Sequence, residues 1–106
     1  MSTEDKRAYP RIDFKEKLRF GEDKPIQDGS SRNLSPDGMS IAAEQALPPN
    51  SNIKIKIERS SGNSIDIEGK VVWVSNPPGM STLMGVKFTS SNEEILKIYK
   101  SRSRYK

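Results

Sequence analysis

Asn52-Ile53-Lys54-Ile55-Lys56-Ile57-Glu58-Arg59-Ser60-Ser61-Gly62-Asn63-Ser64-Ile65-Asp66-Ile67 is the stretch that decides the fold. Ile53, Ile55 and Ile57 alternate strictly with Lys54, Lys56 and Glu58. A period of two places all three isoleucines on one face of a strand and the charges on the other. Ser60 to Ser64 reads as a hairpin loop, and Ile65, Ile67 and Gly69 begin the return strand. One face of this hairpin is dry and the other wet, as in an antiparallel sheet over a single core.

The same pattern extends in both directions. Downstream, Val71 to Val74 continue the return strand and place Trp73 or its neighbours in the core, Asn76-Pro77-Pro78-Gly79 is a turn, and residues 83–88 form the last strand. Ser91 with Glu94 suits a capping box, and Ile95, Leu96, Ile98 and Tyr99 give a short amphipathic helix. Upstream, Ile12, Phe14, Leu18 and Phe20 fall on even positions and predict one half-buried strand over 12–20. Residues 26–33 are a weaker strand, interrupted by Gly29, Ser30 and Ser31. Ser35-Pro36-Asp37-Gly38 suits a type I turn, Met39 and Ile41 begin a short strand, and 43–51 is loop. Six short strands and a terminal helix predict an all-β, antiparallel barrel or sandwich, with the helix over an open end or edge. Residues 1–11 form a polar arm expected to be flexible, and 12–106 the folded domain.

The chain has 106 residues, enough for one small domain with a modest core, since 32% of them are hydrophobic and 30% charged. It has no cysteine, so disulfides and thiolate chemistry are excluded. The N-terminus carries no apolar run and no stretch reaches the length of a membrane span, so a cytoplasmic, non-inserted protein is expected. The net charge of +4 is concentrated in the tail, which carries Lys97, Lys100, Arg102, Arg104 and Lys106 without an acid. The folded part therefore lacks the basic face expected of a nucleic-acid reader. Phe14, Phe20, Trp73 and Phe88 sit at alternating positions that read as core, not as a stacking platform for single strands. With neither His nor Cys, Ser-His and Cys-His nucleophiles and the usual zinc sites cannot be assembled. The carboxylates are scattered, and no Gly-rich phosphate loop is present, so an enzyme is not expected.

Two clusters remain. In Arg7-Ala8-Tyr9-Pro10-Arg11, two guanidinium forks stand four residues apart ahead of the first strand. Such forks pair bidentately with phosphate and also read the O6/N7 edge of guanine. In Asn33-Leu34-Ser35-Pro36-Asp37-Gly38, Asn33 and Ser35 share a face while Leu34 points to the core. The amide offers an acceptor to base N–H groups, the hydroxyl a donor to an oxygen, and Gly38 room for close approach of a ligand. Asp37 is expected to point outward.

In this order, the two clusters resemble the signature of the PilZ family. Gly69-Lys70-Val71-Val72-Trp73-Val74 resembles the family's fifth-strand motif, and Met84-Gly85-Val86-Lys87-Phe88 its closing strand. The resemblance covers nearly the whole chain and implies a six-stranded PilZ-type β-barrel with a short C-terminal helix, standing alone. It also implies a bacterial receptor for cyclic di-GMP, with no further cofactor. By that resemblance Arg7 and Arg11 grip phosphates and guanine edges, and Asn33, Ser35 and Gly38 form the second motif on the barrel surface. Lys6 stands where members often carry another arginine, which leaves one ligand or a stacked pair open. Lys6 and Gly85 are secondary candidates. The implied mechanism is an arm that orders on the ligand and signals to an unidentified protein partner in motility, adhesion or biofilm control. The alternative is a PilZ-like interaction module that binds no nucleotide.

Overall fold

The structure is a computed structural model and describes residues 10–59 and 62–103. Its elements are β1 (Ile12–Asp13), β2 (Lys17–Gly21), β3 (Gln27–Ser35), β4 (Gly38–Ala43), β5 (Asn52–Glu58), β6 (Ser64–Ser75), β7 (Thr82–Phe88) and α1 (Glu93–Ser103). Each neighbouring pair is antiparallel: β2 with β3, β3 with β4, β4 with β7, β7 with β6, β6 with β5, and β5 back to β2. Six strands thus close into a barrel, and β1 is an extra strand on β3.

The alternating isoleucines behave as their pattern requires. Ile53, Ile55, Ile57, Ile65 and Ile67 are buried with Phe14, Leu18, Phe20, Leu34, Met39, Ile41, Val71, Met84 and Val86. Fully burying such a side chain contributes about 1.5–3 kcal/mol relative to exposure. Across the outer face of the β5–β6 hairpin, Lys54 stands opposite Glu68 and Lys56 opposite Asp66. Those complementary pairs support the register from the wet side.

Three local expectations are corrected. The single strand over 12–20 is broken into β1 and β2, because Phe14 to Glu16 leave the ladder to close around Ser31. The Ser31 hydroxyl donates to the Phe14 carbonyl at 2.6 Å and accepts from the Glu16 amide at 2.9 Å. Ser31 is buried, and these bonds satisfy it. The polar segment read as a weak strand is a nine-residue strand, because both of its edges are paired. Trp73 is not core but 40% exposed, because the β6–β7 register shifts between Val71 and Trp73 and inverts the alternation there.

The helix also starts one residue later than Ser91 would set it. The Ile95 amide donates to Asn92 Oδ1 at 3.1 Å, so Asn92 is the cap. Its amide group also donates to the Asp66 carbonyl at 3.2 Å, tying the helix start to β6. Ile95 and Ile98 join the core, and Tyr99 is buried. Among the described residues, no helix is long and apolar enough to cross a membrane.

The cap assignment predicts that Asn92→Ala lowers the unfolding free energy by about 1 kcal/mol, whereas Ser91→Ala stays within about 0.5 kcal/mol of the parent. Urea titration followed by circular dichroism reads both, and a larger loss for Ser91→Ala would contradict it.

Candidate functional site

Strand register assembles the site. Asn33 stands opposite Ser40, Ser40 opposite Gly85, and Gly85 opposite Trp73, forming one row across β3, β4, β7 and β6. Directly opposed residues share a face, so the four side-chain positions line up over roughly 14 Å at 4.8 Å per strand. The adjacent row, Leu34, Met39, Val86 and Val71, is wholly buried, so the Asn33 row lies on the outer surface. A bulge at each end keeps it there. Arg32 is the unpaired extra residue between Ser31 and Asn33, and Val72 the one between Val71 and Trp73.

The Trp73 indole lies against Gly85. A Cβ on Gly85 would overlap the indole at Nε1 and Cε2, so only glycine leaves room for the ring on the sheet surface. At the other end, Arg11 Nη1 donates to Asn33 Oδ1 at 2.9 Å. Arg11, Arg32, Asn33, Ser40, Trp73 and Leu83 line a cleft of about 300 Å³. That volume sits at the lower end of small-molecule sites. Its β3 side is cationic and its β6–β7 side aromatic and apolar.

The second motif is built differently from its sequence reading. Ser35 stands opposite Gly38 across a two-residue loop, and neither Pro36 nor Asp37 has a positive φ, in keeping with the type I turn. Ser35 is buried at 1% exposure, and its hydroxyl donates to Asp37 Oδ1 at 2.6 Å. With its proton engaged, Ser35 offers lone pairs, not the donor assigned to it above. Asp37 is exposed, as expected, and its carbonyl accepts from the Phe88 amide at 2.9 Å. A Cβ on Gly38 would stand 2.5 Å from the Val86 carbonyl oxygen, so what approaches this glycine is β7. Lys6 and Arg7 lie outside the described residues.

The structure therefore brings Arg11 and Asn33 into contact and places Gly85 in the same row. Arg32, Ser40 and Trp73 are additions that sequence reasoning did not make. Parity put Trp73 inside, and no residue type announced the bulge that brought it out. The base of the arm is fixed by the helix: Tyr99 Oη donates to the Pro10 carbonyl at 2.6 Å, one residue before Arg11.

A larger hollow of about 570 Å³ lies beside Lys17, Arg19, Asp28, Glu44 and Glu58. Its charges answer one another, since Arg19 Nε lies 3.8 Å from Asp28 and 3.7 Å from Glu58. Such a self-paired surface holds little for an ionic ligand. Among the described residues, no group of three or more carboxylates could hold a metal ion.

Because the chain has one tryptophan, the Gly85 contact is directly readable. Gly85→Ala is expected to lift the indole off the sheet, red-shift its emission and cost about 1–3 kcal/mol of stability. Unchanged emission would contradict the packing described.

The family model described as PilZ domain matches residues 5–100. Among curated proteins, no sequence matches the chain. The fold is similar to that of the Bacillus subtilis inhibitor of motility (MotI/DgrA), with a TM-score of 0.77 and 17% identity over 94% of this chain and 52% of that one. The PilZ domain of Escherichia coli YcgR, solved with c-di-GMP, gives a TM-score of 0.75 and 16% identity over 94% of this chain and 93% of the other. The longer Escherichia coli YcgR in complex with c-di-GMP gives 0.72 and 16%, over 92% and 46%. The chain thus spans about half the length of MotI/DgrA and of that longer YcgR chain. At these identities the likeness concerns the fold.

Proposed function

The chain belongs to the PilZ domain family, and from that membership we propose that it is a cyclic di-GMP receptor that signals to a protein partner. The observation that carries the reading is the Arg11–Asn33 hydrogen bond at the mouth of a cleft whose far wall is the Trp73 indole. This arrangement has a cationic end for phosphate and an aromatic end for a base, as a nucleotide requires.

The roles follow from the groups. Arg11 offers its guanidinium fork to a phosphate or a guanine edge. Arg7, four residues earlier and within roughly 13 Å along an extended chain, supplies a second fork. Asn33 keeps its amide N–H groups and a carbonyl lone pair for a base. Ser35 accepts, with Asp37 holding its proton away, and Gly38 keeps the hairpin tight against β7. Trp73 stacks a base, an interaction worth about 1–3 kcal/mol in single-strand binders. Two to four charge-assisted hydrogen bonds at about 1.5–3 kcal/mol each offset the ordering of the arm and leave an affinity near micromolar, about −8 kcal/mol. Output then comes from the altered surface of arm and barrel, which a partner recognises.

Calorimetric titration with cyclic di-GMP tests this. Arg11→Ala is expected to weaken binding by roughly 10- to 150-fold while leaving the fold intact, and ligand is expected to quench Trp73 emission in the parent. Equal affinity in parent and Arg11→Ala, or no heat of binding in the parent, would defeat the reading.

A further inference from the structure

Ser40 carries a polar group that the fold itself does not use. It is only 5% exposed, it lines the cleft, and its hydroxyl makes no hydrogen bond with any group among the described residues. The other two buried serines are engaged: Ser31 bonds Phe14 and Glu16, and Ser35 bonds Asp37. Buried hydroxyls are normally satisfied, because desolvating one without a partner is costly. An alanine at position 40 would avoid that cost without losing any bond seen here.

The place of the hydroxyl indicates its partner. In its row Ser40 has Asn33 on one side and Gly85, covered by the indole, on the other. The cations of the cleft, Arg11 and Arg32, stand on the β3 side, and Trp73 and Leu83 on the β6–β7 side. A phosphate is drawn to the first side and a base to the second. Position 40 lies between those two ends, in the same row. We propose that Ser40 forms the floor of a base-edge subsite, its hydroxyl hydrogen-bonding a ring or exocyclic atom of a purine held against Trp73. A serine hydroxyl both donates and accepts, so it serves an O6/N7 or an N1–H/N2–H₂ edge. This inference rests on the nucleotide reading above and adds a contact outside both sequence motifs.

Ser40→Ala separates the possibilities when read by two measurements. Cyclic di-GMP affinity, by calorimetry, is expected to fall about 3- to 10-fold, while the melting temperature of the ligand-free protein stays level or rises. A purely structural hydroxyl would instead lower the melting temperature. A parent that binds in an Arg11-dependent way together with a Ser40→Ala variant of unchanged affinity overturns the subsite and leaves the receptor reading standing. A drop in melting temperature accompanying the lost affinity also overturns the subsite. A parent that shows no binding of cyclic di-GMP overturns both.

Discussion

Strand β3 is held on both edges at once, and the barrel and its site depend on that double pairing. Gln27 to Ser30 pair with β2, Asn33 and Leu34 with β1, and Ser30 to Ser35 with β4. Between β1 and β2 the first edge is open for three residues. There the Ser31 hydroxyl bridges the Phe14 carbonyl and the Glu16 amide, while the Phe14 amide donates to the Arg32 carbonyl and the Ser31 amide to the Glu16 carbonyl. A polar strand with one inward leucine would otherwise have little reason to stay in a sheet. Its hydrogen bonds, not its side chains, keep it there. Because β1 leads directly back to Arg11, the same stitch fixes where the arm meets the barrel.

Closure alone would not build a cleft. A closed sheet with strict alternation has an outer face of pairs such as Lys54 with Glu68, which is solvated and flat. The bulges at Arg32 and Val72 break the alternation at opposite ends of one row, and each adds local twist. The result is a row with small residues in the middle, Ser40 and Gly85, and larger ones at its ends, Asn33 and Trp73, with Arg32 on the bulge beside Asn33. Concavity comes from that size pattern. The contact between Trp73 and Gly85 also stabilises it, because the ring covers the strand position left bare by the glycine.

What the sequence discloses follows the same division. Where the ladder is regular, as from Ile53 to Ile67, alternation alone gives face, partner and register. The amphipathic helix, apart from its cap, and the tight loop at Pro36-Asp37 are also read correctly. Parity fails where a bulge intervenes, so Trp73 reads as core although it stands on the surface. It gives no support to β3 either, whose membership is decided by the strands paired on its two edges and not by its own side chains. Asn92 and Ser91 are both good caps, and the choice falls to Asn92, which also reaches the Asp66 carbonyl. Within the site, Arg11 and Asn33 were legible as types in a motif. The state of Ser35 was not, since its proton goes to Asp37, a partner that only the turn geometry brings to 2.6 Å.

The C-terminal helix belongs mechanically to the arm as well as to the core. Tyr99 bonds the Pro10 carbonyl, Arg102 stacks 5.0 Å from the centroid of the Phe14 ring, and the same guanidinium lies 3.4 Å from Glu16. The Arg102–Glu16 ion pair is half exposed and contributes little. The Tyr99 bond and the burial of Ile95 and Ile98 in the core therefore hold the two segments together. Arg11 sits inside the clasped span, one residue after Pro10 and three before Phe14. A displacement of Arg11 that exceeds the slack of one or two backbone dihedrals must either break the Tyr99 bond or carry α1 with it. The helix is thereby tied to the cleft through Pro10 and Arg11, although it lines none of it.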